Sequence, residues 1–163
     1  MRRIAIALLF LVAFSSRAAD ISIATIDLNI GDSQSDVLAR LSAKAKVIPI
    51  IGSPTQFMVE TPDKIPLGIV YFENESLKWA FRRVRTFSAK DVAEAPATLV
   101  SELQRLSALG KVSPTTTTRH TRDHIGTIVD QVVFTFPSRT IELTSYTYSN
   151  GKILVFIDEA LSR

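Results

Sequence analysis

The segment that most constrains the fold is residues 67–84, which has the pattern of a β-hairpin. Two apolar runs, at positions 69–72 and 77–81, flank the polar residues 73–76. This pattern is typical of two antiparallel strands joined by a four-residue loop. Trp79 and Phe81 would share one face of the second strand, because side chains alternate along a strand. We predict that this hairpin lies at the centre of an antiparallel sheet.

The period of two breaks after Phe81, because the next apolar residue is Val84. A β-bulge at Arg82 and Arg83 would return Val84 to the core face and re-aim both arginines. Alternatively, the strand ends at this point. The sequence leaves both interpretations open.

Two helices are predicted from Ser-x-x-Asp starts at Ser33 and Ser88. In each, the serine can cap the helix and the carboxylate complements the helix dipole. The second helix is the longer one, with Val92 and Leu99 on one apolar stripe. Pro96 is unfavourable inside a helix, so the helix either kinks there or its regular part begins near that residue.

The rest of the chain has the pattern of strands and turns, and its alternating apolar residues suit a sheet with one buried face. Leu154 and Phe156 lie on the opposite face of the last strand and need cover, for which a helix is a candidate. The predicted strands are residues 113–121, 127–136, 140–148 and 152–158.

Residues 1–18 have the pattern of a signal peptide. A basic start with Arg2 and Arg3 precedes an apolar run at positions 4–14, and cleavage is predicted after Ala18. The run is far shorter than the ~20 residues of a membrane-spanning helix. We therefore expect a periplasmic or secreted protein with no transmembrane segment in the mature chain.

Charge and cysteine content narrow the function classes. Arg2, Arg3 and Arg17 account for the whole excess of 19 basic over 16 acidic residues, so the mature chain is formally neutral and no nucleic-acid partner is expected. The absence of cysteine excludes disulfides, thiolate metal sites and a cysteine nucleophile. Residues 19–163 are long enough for one domain with its own core.

Two features recur in the same order along the chain. The helix start Ser-x-x-Asp-Val occurs at residues 33–37 and 88–92, and the hairpin pattern of residues 72–81 aligns without gaps on residues 148–157. We interpret them as a possible pseudo-repeat with halves at residues 19–87 and 88–163. Chance is the alternative, because helix caps and turns are built from few residue types.

One half resembles a known unit. Residues 30–41 carry Ile-Gly-x-Ser-x-x-x-Val-x-x-x-Leu, and residues 72–79 follow with an aromatic, a loop and Leu-x-Trp. This pattern resembles the helix-then-meander unit of the SmpA/OmlA (BamE-like) envelope proteins, and the tandem arrangement is similar to β-lactamase-inhibitory proteins. The match covers one helix and one hairpin per half. The lipid-anchoring cysteine and the Gly-x-Pro helix ending of the envelope family are missing, and no inhibitory loop residue can be transferred.

The resemblance implies a fold and a binding role. Together with the pattern of elements, it leads us to expect an α+β fold of two helix-plus-antiparallel-meander units. These units would pack as one domain, with the helices on one face of the sheet.

Catalytic and metal signatures are weak. His120 and His124, with Asp123, are the only candidates for an ion site, and in an extended strand their rings would be ~13 Å apart. There is no nucleophile elbow or phosphate-cradling glycine loop, and the spacing of Asp158 and Glu159 does not indicate a glycosidase pair. We predict no catalytic residue, no cofactor and no enzyme activity.

A basic and aromatic cluster on the central hairpin is the candidate interaction site. It comprises Lys78, Arg82, Arg83 and Arg85 around Trp79 and Phe81. Arginine and tryptophan are enriched in binding hot spots. The alternative is that the aromatic residues belong to the core and that the basic residues lie on the opposite, solvent-exposed face of the strand.

The expected function is therefore an exported, non-enzymatic protein-binding or envelope-assembly module whose partner is another envelope or secreted protein. The alternative is a small-ligand or ion-binding periplasmic protein, with a pocket between the long helix and the sheet. The sequence does not predict an oligomeric state.

Overall fold

The computed structural model describes residues 20–110, 114–122 and 126–162. The predicted signal peptide, Asp123 and His124 lie outside the described residues. The elements in chain order are β1 (Ile21–Ile23), β2 (Ile26–Leu28), α1 (Gln34–Ser42), β3 (Lys46–Ile50), β4 (Ser53–Glu60), β5 (Pro66–Glu73), β6 (Ser76–Ser88), a 3-10 turn (Val92–Glu94), α2 (Ala95–Gly110), β7 (Thr115–Arg122), β8 (Ile128–Phe136), β9 (Arg139–Thr147) and β10 (Ile153–Ser162).

The predicted fold class is wrong in its main feature. Instead of two packed helix-plus-meander units, the described chain is mostly strand. It forms one continuous eight-stranded antiparallel sheet, a separate two-stranded sheet of β1 and β2, and two α-helices. The large sheet has the order β3-β4-β5-β6-β10-β9-β8-β7. Strands β6 and β10 pair along most of their length, from Leu154 opposite Ser88 to Ser162 opposite Trp79. This pairing joins the strands β3 to β6 and the strands β7 to β10 into one sheet.

The central hairpin is confirmed, but its loop is shorter than expected. Strands β5 and β6 pair up to Glu73 and Ser76, which leaves Asn74 and Glu75 as a two-residue turn. Both turn residues have positive φ, 50° and 57°. These angles match a type I′ turn, whose twist suits a tight hairpin.

Both open questions about local structure are answered. Strand β6 does not end at Arg83: it runs to Ser88, and its register shifts opposite Ile157 and Asp158. A bulge is present, but at Val84 and not at Arg82 and Arg83 as predicted: both arginines have partners in β10, and Val84 is the unpaired residue and packs against the core. The regular helix α2 begins at Ala95, so Pro96 lies in its first turn, where the missing N–H has little cost.

Only the first of the two predicted helix caps is present. The Ser33 hydroxyl accepts a hydrogen bond from the Asp36 amide at 3.3 Å, which caps α1. The predicted cap at Ser88 is wrong: Ser88 ends β6, and Asp91 Oδ1 accepts from the Ser88 amide at 2.6 Å without capping a helix. The chain passes through the 3-10 turn before α2 begins.

Two hydrophobic clusters form the core on one side of the sheet. The first joins α1, β1 and β2 to the sheet, and includes Leu161 of β10. The second joins α2 to the sheet, and includes Val155 and Ile157 of the same strand. These three residues alternate along β10 and therefore point to one face. We call this side the helix face.

The opposite side, which we call the open face, carries Tyr71, Trp79, Phe81, Tyr146 and Phe156. Residues that are paired across two antiparallel strands point to the same face of the sheet, as do residues two positions apart on one strand. Tyr71 is paired with Trp79, and Phe81 lies two positions after Trp79. Tyr146 is paired with Leu154, and Phe156 lies two positions after Leu154. All five are partly buried, and none belongs to either core cluster. The expected helix over Phe156 is wrong, because both helices pack on the helix face.

Candidate functional site

The structure divides the four predicted interaction residues between different surroundings. Arg82 and Arg85 pair with Glu159 and Ile157 of β10 and lie on the helix face. Arg83 lies opposite Asp158 on the open face. Lys78 is exposed at the register shift between β5 and β6. The four basic residues therefore do not form one patch.

Arg83 is the centre of the open face. Its Nε donates to Asp158 Oδ1 at 2.8 Å and its Nη2 donates to Oδ2 at 3.2 Å, a two-point ion pair. Its guanidinium carbon lies 4.1 Å from the ring centroid of Phe156 and 5.7 Å from that of Phe81. Such stacking leaves a rigid, flat cation between two aromatic rings.

Aromatic rings extend this centre in two directions. Trp79 and Phe81 stack with centroids 6.1 Å apart. Tyr146 meets Phe156 edge to face at 5.4 Å and stacks on Tyr148 at 6.5 Å. The set combines large apolar area with polar hydroxyl and indole groups, a composition that is enriched where proteins bind each other. We call Arg83, Trp79, Phe81, Tyr146 and Phe156 the aromatic–arginine surface.

Two carboxylates lie directly opposite one another beside this surface. Asp158 of β10 is paired with Glu142 of β9, and Gln131 donates to Glu142 at 2.9 Å. Burial raises the pKa of Asp158, although Arg83 acts in the opposite direction. Burial and then the charge of Asp158 raise the pKa of Glu142. The two negative charges therefore disfavour each other.

A second charged network occupies the helix face. Glu159 is almost fully buried and accepts from Arg105 at 2.8 Å and from Arg139 at 2.9 Å. Arg82 lies 2.7 Å from the same carboxylate and also contacts Glu102. Burial would raise the pKa of Glu159, but the arginines outweigh it and hold the pKa below its usual value. The network links α2 to three strands and has a structural role.

Arg85 and Lys78 do not take part in either network. Arg85 pairs with Glu94 at 2.6 Å, with both side chains largely exposed, and its guanidinium carbon lies 4.8 Å from the Phe87 centroid. Lys78 forms no ion pair within the described part of the chain. Within the described residues, neither side chain forms a hydrogen bond or an ion pair with the aromatic–arginine surface.

The histidine prediction can be followed for one residue only. His120 Nδ1 lies 2.6 Å from Asp130 Oδ1, and both side chains are mostly exposed. Among residues 20–110, 114–122 and 126–162, no group of three or more His, Asp or Glu side chains is placed to hold a metal ion.

Sequence reasoning did not find Asp158, Glu142 and Phe156 as parts of the site. In the sequence, Asp158 and Glu159 are adjacent carboxylates whose spacing does not indicate a glycosidase pair. In the structure they point to opposite faces of β10, each held by an arginine of β6. Their spacing by one residue on a strand was the signal that could have separated them.

Comparisons with known proteins leave the site to be interpreted from its own chemistry. No protein-family model, curated protein or solved structure matches this chain. Neither helix in the described ranges is long and apolar enough to cross a membrane.

Proposed function

We propose that this protein is an exported, non-enzymatic binding module that engages another envelope or secreted protein through the aromatic–arginine surface. The observation that carries the proposal is the Arg83 guanidinium, held between the Phe81 and Phe156 rings by Asp158 on a sheet face outside both core clusters. Partly buried aromatics beside a fixed arginine are the composition of a binding hot spot. The BamE-like resemblance is consistent with this role and remains a proposal.

Rigidity supports the proposed role. Long arginine side chains normally lose conformational entropy when they bind. Here the two-point pair with Asp158 and the contact with Phe156 fix the guanidinium before any partner arrives. A partner would therefore meet a preorganised surface, which favours affinity.

The test is co-purification from envelope extracts with the protein as bait. Trp79→Ala removes the largest ring of the surface and is expected to weaken partner capture by roughly 30-fold, the effect of a typical hot-spot residue. Arg85→Ala is the matched control, because Arg85 lies on the other face of the same strand. Equal recovery of the same partners with wild type and Trp79→Ala would contradict the proposal.

A second function has one observation in its favour. A cavity of about 250 Å³ lies between α2 and the sheet, and most of its lining is apolar. It could bind a small apolar ligand, in agreement with the alternative of a ligand-binding protein. The lining residues are Val92, Ala95, Pro96, Asp130, Val132, Leu143, Ser145 and Val155.

This second function can be tested separately. Leu143→Trp would narrow the cavity, so weaker binding of an apolar fluorescent dye in this variant would support the second function. Unchanged dye binding in the variant, or no dye binding in the wild type, would exclude a ligand site in this cavity.

Ion binding is tested by calorimetry with zinc or copper. Absence of a binding heat would exclude an ion site at His120.

Export is part of the proposal and has its own measurement. Cleavage after Ala18 predicts that the mature chain recovered from the periplasm or medium begins at Ala19. The intact mass of the recovered protein distinguishes this from an uncleaved chain. A full-length mass would contradict it.

A further inference from the structure

Strand β7 is an edge strand that lacks the short length, proline and bulge that commonly protect sheet edges, although it carries basic side chains. It lies at one end of the large sheet, and all eight of its residues pair with β8 without a register shift. Every one of its side chains is exposed. Within the described chain, its backbone forms no hydrogen bond beyond the ladder with β8. Its outer edge therefore presents backbone donors and acceptors that a further strand could pair with.

The other edge of the sheet differs in length, in register and in the exposure of its side chains. Strand β3 is five residues long and contains Pro49, which cannot donate to a ladder. Its register shifts at Pro49 and Ile50, and α1 packs against it. These are the features by which proteins protect sheet edges from pairing. Only one edge of this sheet is left available.

The charge on β7 indicates which kind of strand would fit. The strand contains Arg119, His120 and Arg122 and no acidic residue. His120 is paired with Asp130. Among the residues that the structure describes, Arg119 and Arg122 have no carboxylate within ion-pair distance, although burial raises the pKa of Glu142 and the charge of Arg119 acts to lower it. Arg119 points to the open face and Arg122 to the helix face, because they are three residues apart on a strand.

We propose that β7 is a docking edge for an extended acidic segment of a partner protein, which adds a ninth strand to the sheet by β-augmentation. Backbone pairing would supply affinity, and carboxylates opposite Arg119 and Arg122 would supply specificity. In the preferred antiparallel arrangement these carboxylates are three residues apart and project to opposite faces. The site is separate from the aromatic–arginine surface and does not depend on its function.

A second copy of this chain fits the edge less well. A two-fold axis between two β7 strands would bring Arg119 and Arg122 of both copies to one seam without a compensating carboxylate in the strand. Like charges across a strand pair are destabilising. Charge complementarity therefore selects the acidic segment.

The probe is a fluorescent ten-residue peptide of threonine and valine with glutamates at positions four and seven, titrated against the purified protein by anisotropy. The matched control peptide carries lysine at both positions. The glutamate peptide is expected to bind at least about twofold more tightly, because each charge pair contributes a factor of roughly 1.4 to 5 and the two factors multiply. In the variant Arg119→Glu with Arg122→Glu, the preference should reverse.

Two further variants test the edge itself. Adjacent strand residues point their N–H groups to opposite sides, so either Thr117→Pro or Thr118→Pro removes an outward donor while it keeps the β8 ladder. The variant that retains the wild-type circular dichroism should lose peptide binding. Trp79→Ala should leave peptide binding unchanged, which separates this site from the open face.

Three results would overturn the proposal. The first is that the two peptides bind equally, or that neither binds up to millimolar concentration. The second is that the glutamate peptide is still preferred by the variant with both arginines reversed. The third is that the wild type forms a dimer in analytical ultracentrifugation and the folded proline variant does not. The last result would assign the edge to a second copy of the chain.

Discussion

Arg83 and Asp158 form a two-point ion pair across β6 and β10, with Nε 2.8 Å from Oδ1 and Nη2 3.2 Å from Oδ2. The neighbouring residues of the same strands, Arg82 and Glu159, form a second pair at 2.7 Å on the opposite face. These strands join the two halves of the sheet. The junction is therefore fixed by one arginine–carboxylate pair on each face.

Arg83→Met should destabilise the protein, because it leaves the Asp158 carboxylate buried without its cation. Asp158 is only 5% exposed, so the loss of unfolding free energy at pH 7 should be about 3 kcal/mol, as for other broken buried pairs. Urea unfolding followed by circular dichroism measures it. Arg83→Met combined with Asp158→Asn should recover part of the loss. Stability of the single variant equal to wild type would show that the pair contributes little.

Glu142→Gln should stabilise the protein at neutral pH by about 0.5 kcal/mol, a modest value because Glu142 is partly exposed. The substitution removes a charge facing Asp158, and the new amide can still accept from Gln131. The pKa of Glu142 is raised in the folded state, so folding favours the protonated carboxyl group. The stability that this protonation contributes is fully present below the ordinary pKa of a glutamate. It is lost as the pH rises through the raised pKa. The gain should therefore vanish in acid. Denaturant unfolding at several pH values tests this, with the exposed Glu73→Gln as control.

Glu159→Gln should destabilise the protein strongly at neutral pH, by about 3 to 5 kcal/mol, because three arginines lose a buried common anion. The pKa of Glu159 is lowered in the folded state, so folding favours the charged carboxylate. The stability that this charge contributes is fully present above the ordinary pKa of a glutamate and is lost as the pH falls through the lowered pKa. Wild type and variant should therefore converge in strong acid. Glu94→Gln, which breaks an exposed pair with Arg85, should change stability by less than about 1 kcal/mol. A similar effect of both variants would contradict the assigned role of Glu159.

The local features of the fold could be predicted because their signals lie close together in the sequence. The hairpin at Asn74, the bulge at Val84 and the helix start near Pro96 each depend on a few neighbouring residues. The continuous sheet could not be predicted, because the pairing of β6 with β10 joins residues far apart in the chain. Arg83 and Asp158, for example, are 75 residues apart.

The candidate site was only partly predictable for the same reason. The basic residues around Trp79 were found from composition, but their division between two faces depends on the position of the bulge. The partners Asp158, Glu142 and Phe156 become neighbours only through the registers of β6, β9 and β10. Sequence patterns along one strand do not define such registers.

Glu75→Gly should stabilise the protein by about 1 kcal/mol. Glu75 has φ of 57° in the two-residue turn, a conformation that costs a residue with a Cβ roughly 1–2 kcal/mol and glycine almost nothing. Asn-Gly is also the favoured sequence of a type I′ turn. Thermal unfolding should show a raised Tm. Glu73→Gly, two residues earlier in β5, is the control and should lower Tm, because glycine weakens a strand.

Gly68→Ala should destabilise the protein by about 2 to 3 kcal/mol, although the change adds a single methyl group. A Cβ at Gly68 would lie 2.2 Å from the carbonyl oxygen of Phe81 and 3.0 Å from the Ile23 side chain. The first contact is with backbone, so it can be relieved only by separating β5 from β6 beside the aromatic–arginine surface. Gly52→Ala is the matched control: Gly52 has φ of 82° and open space around it, so only the conformational cost of about 1 kcal/mol should appear. Urea unfolding compares the two, and an equal loss in both variants would show that β5 and β6 can yield at this point without further cost.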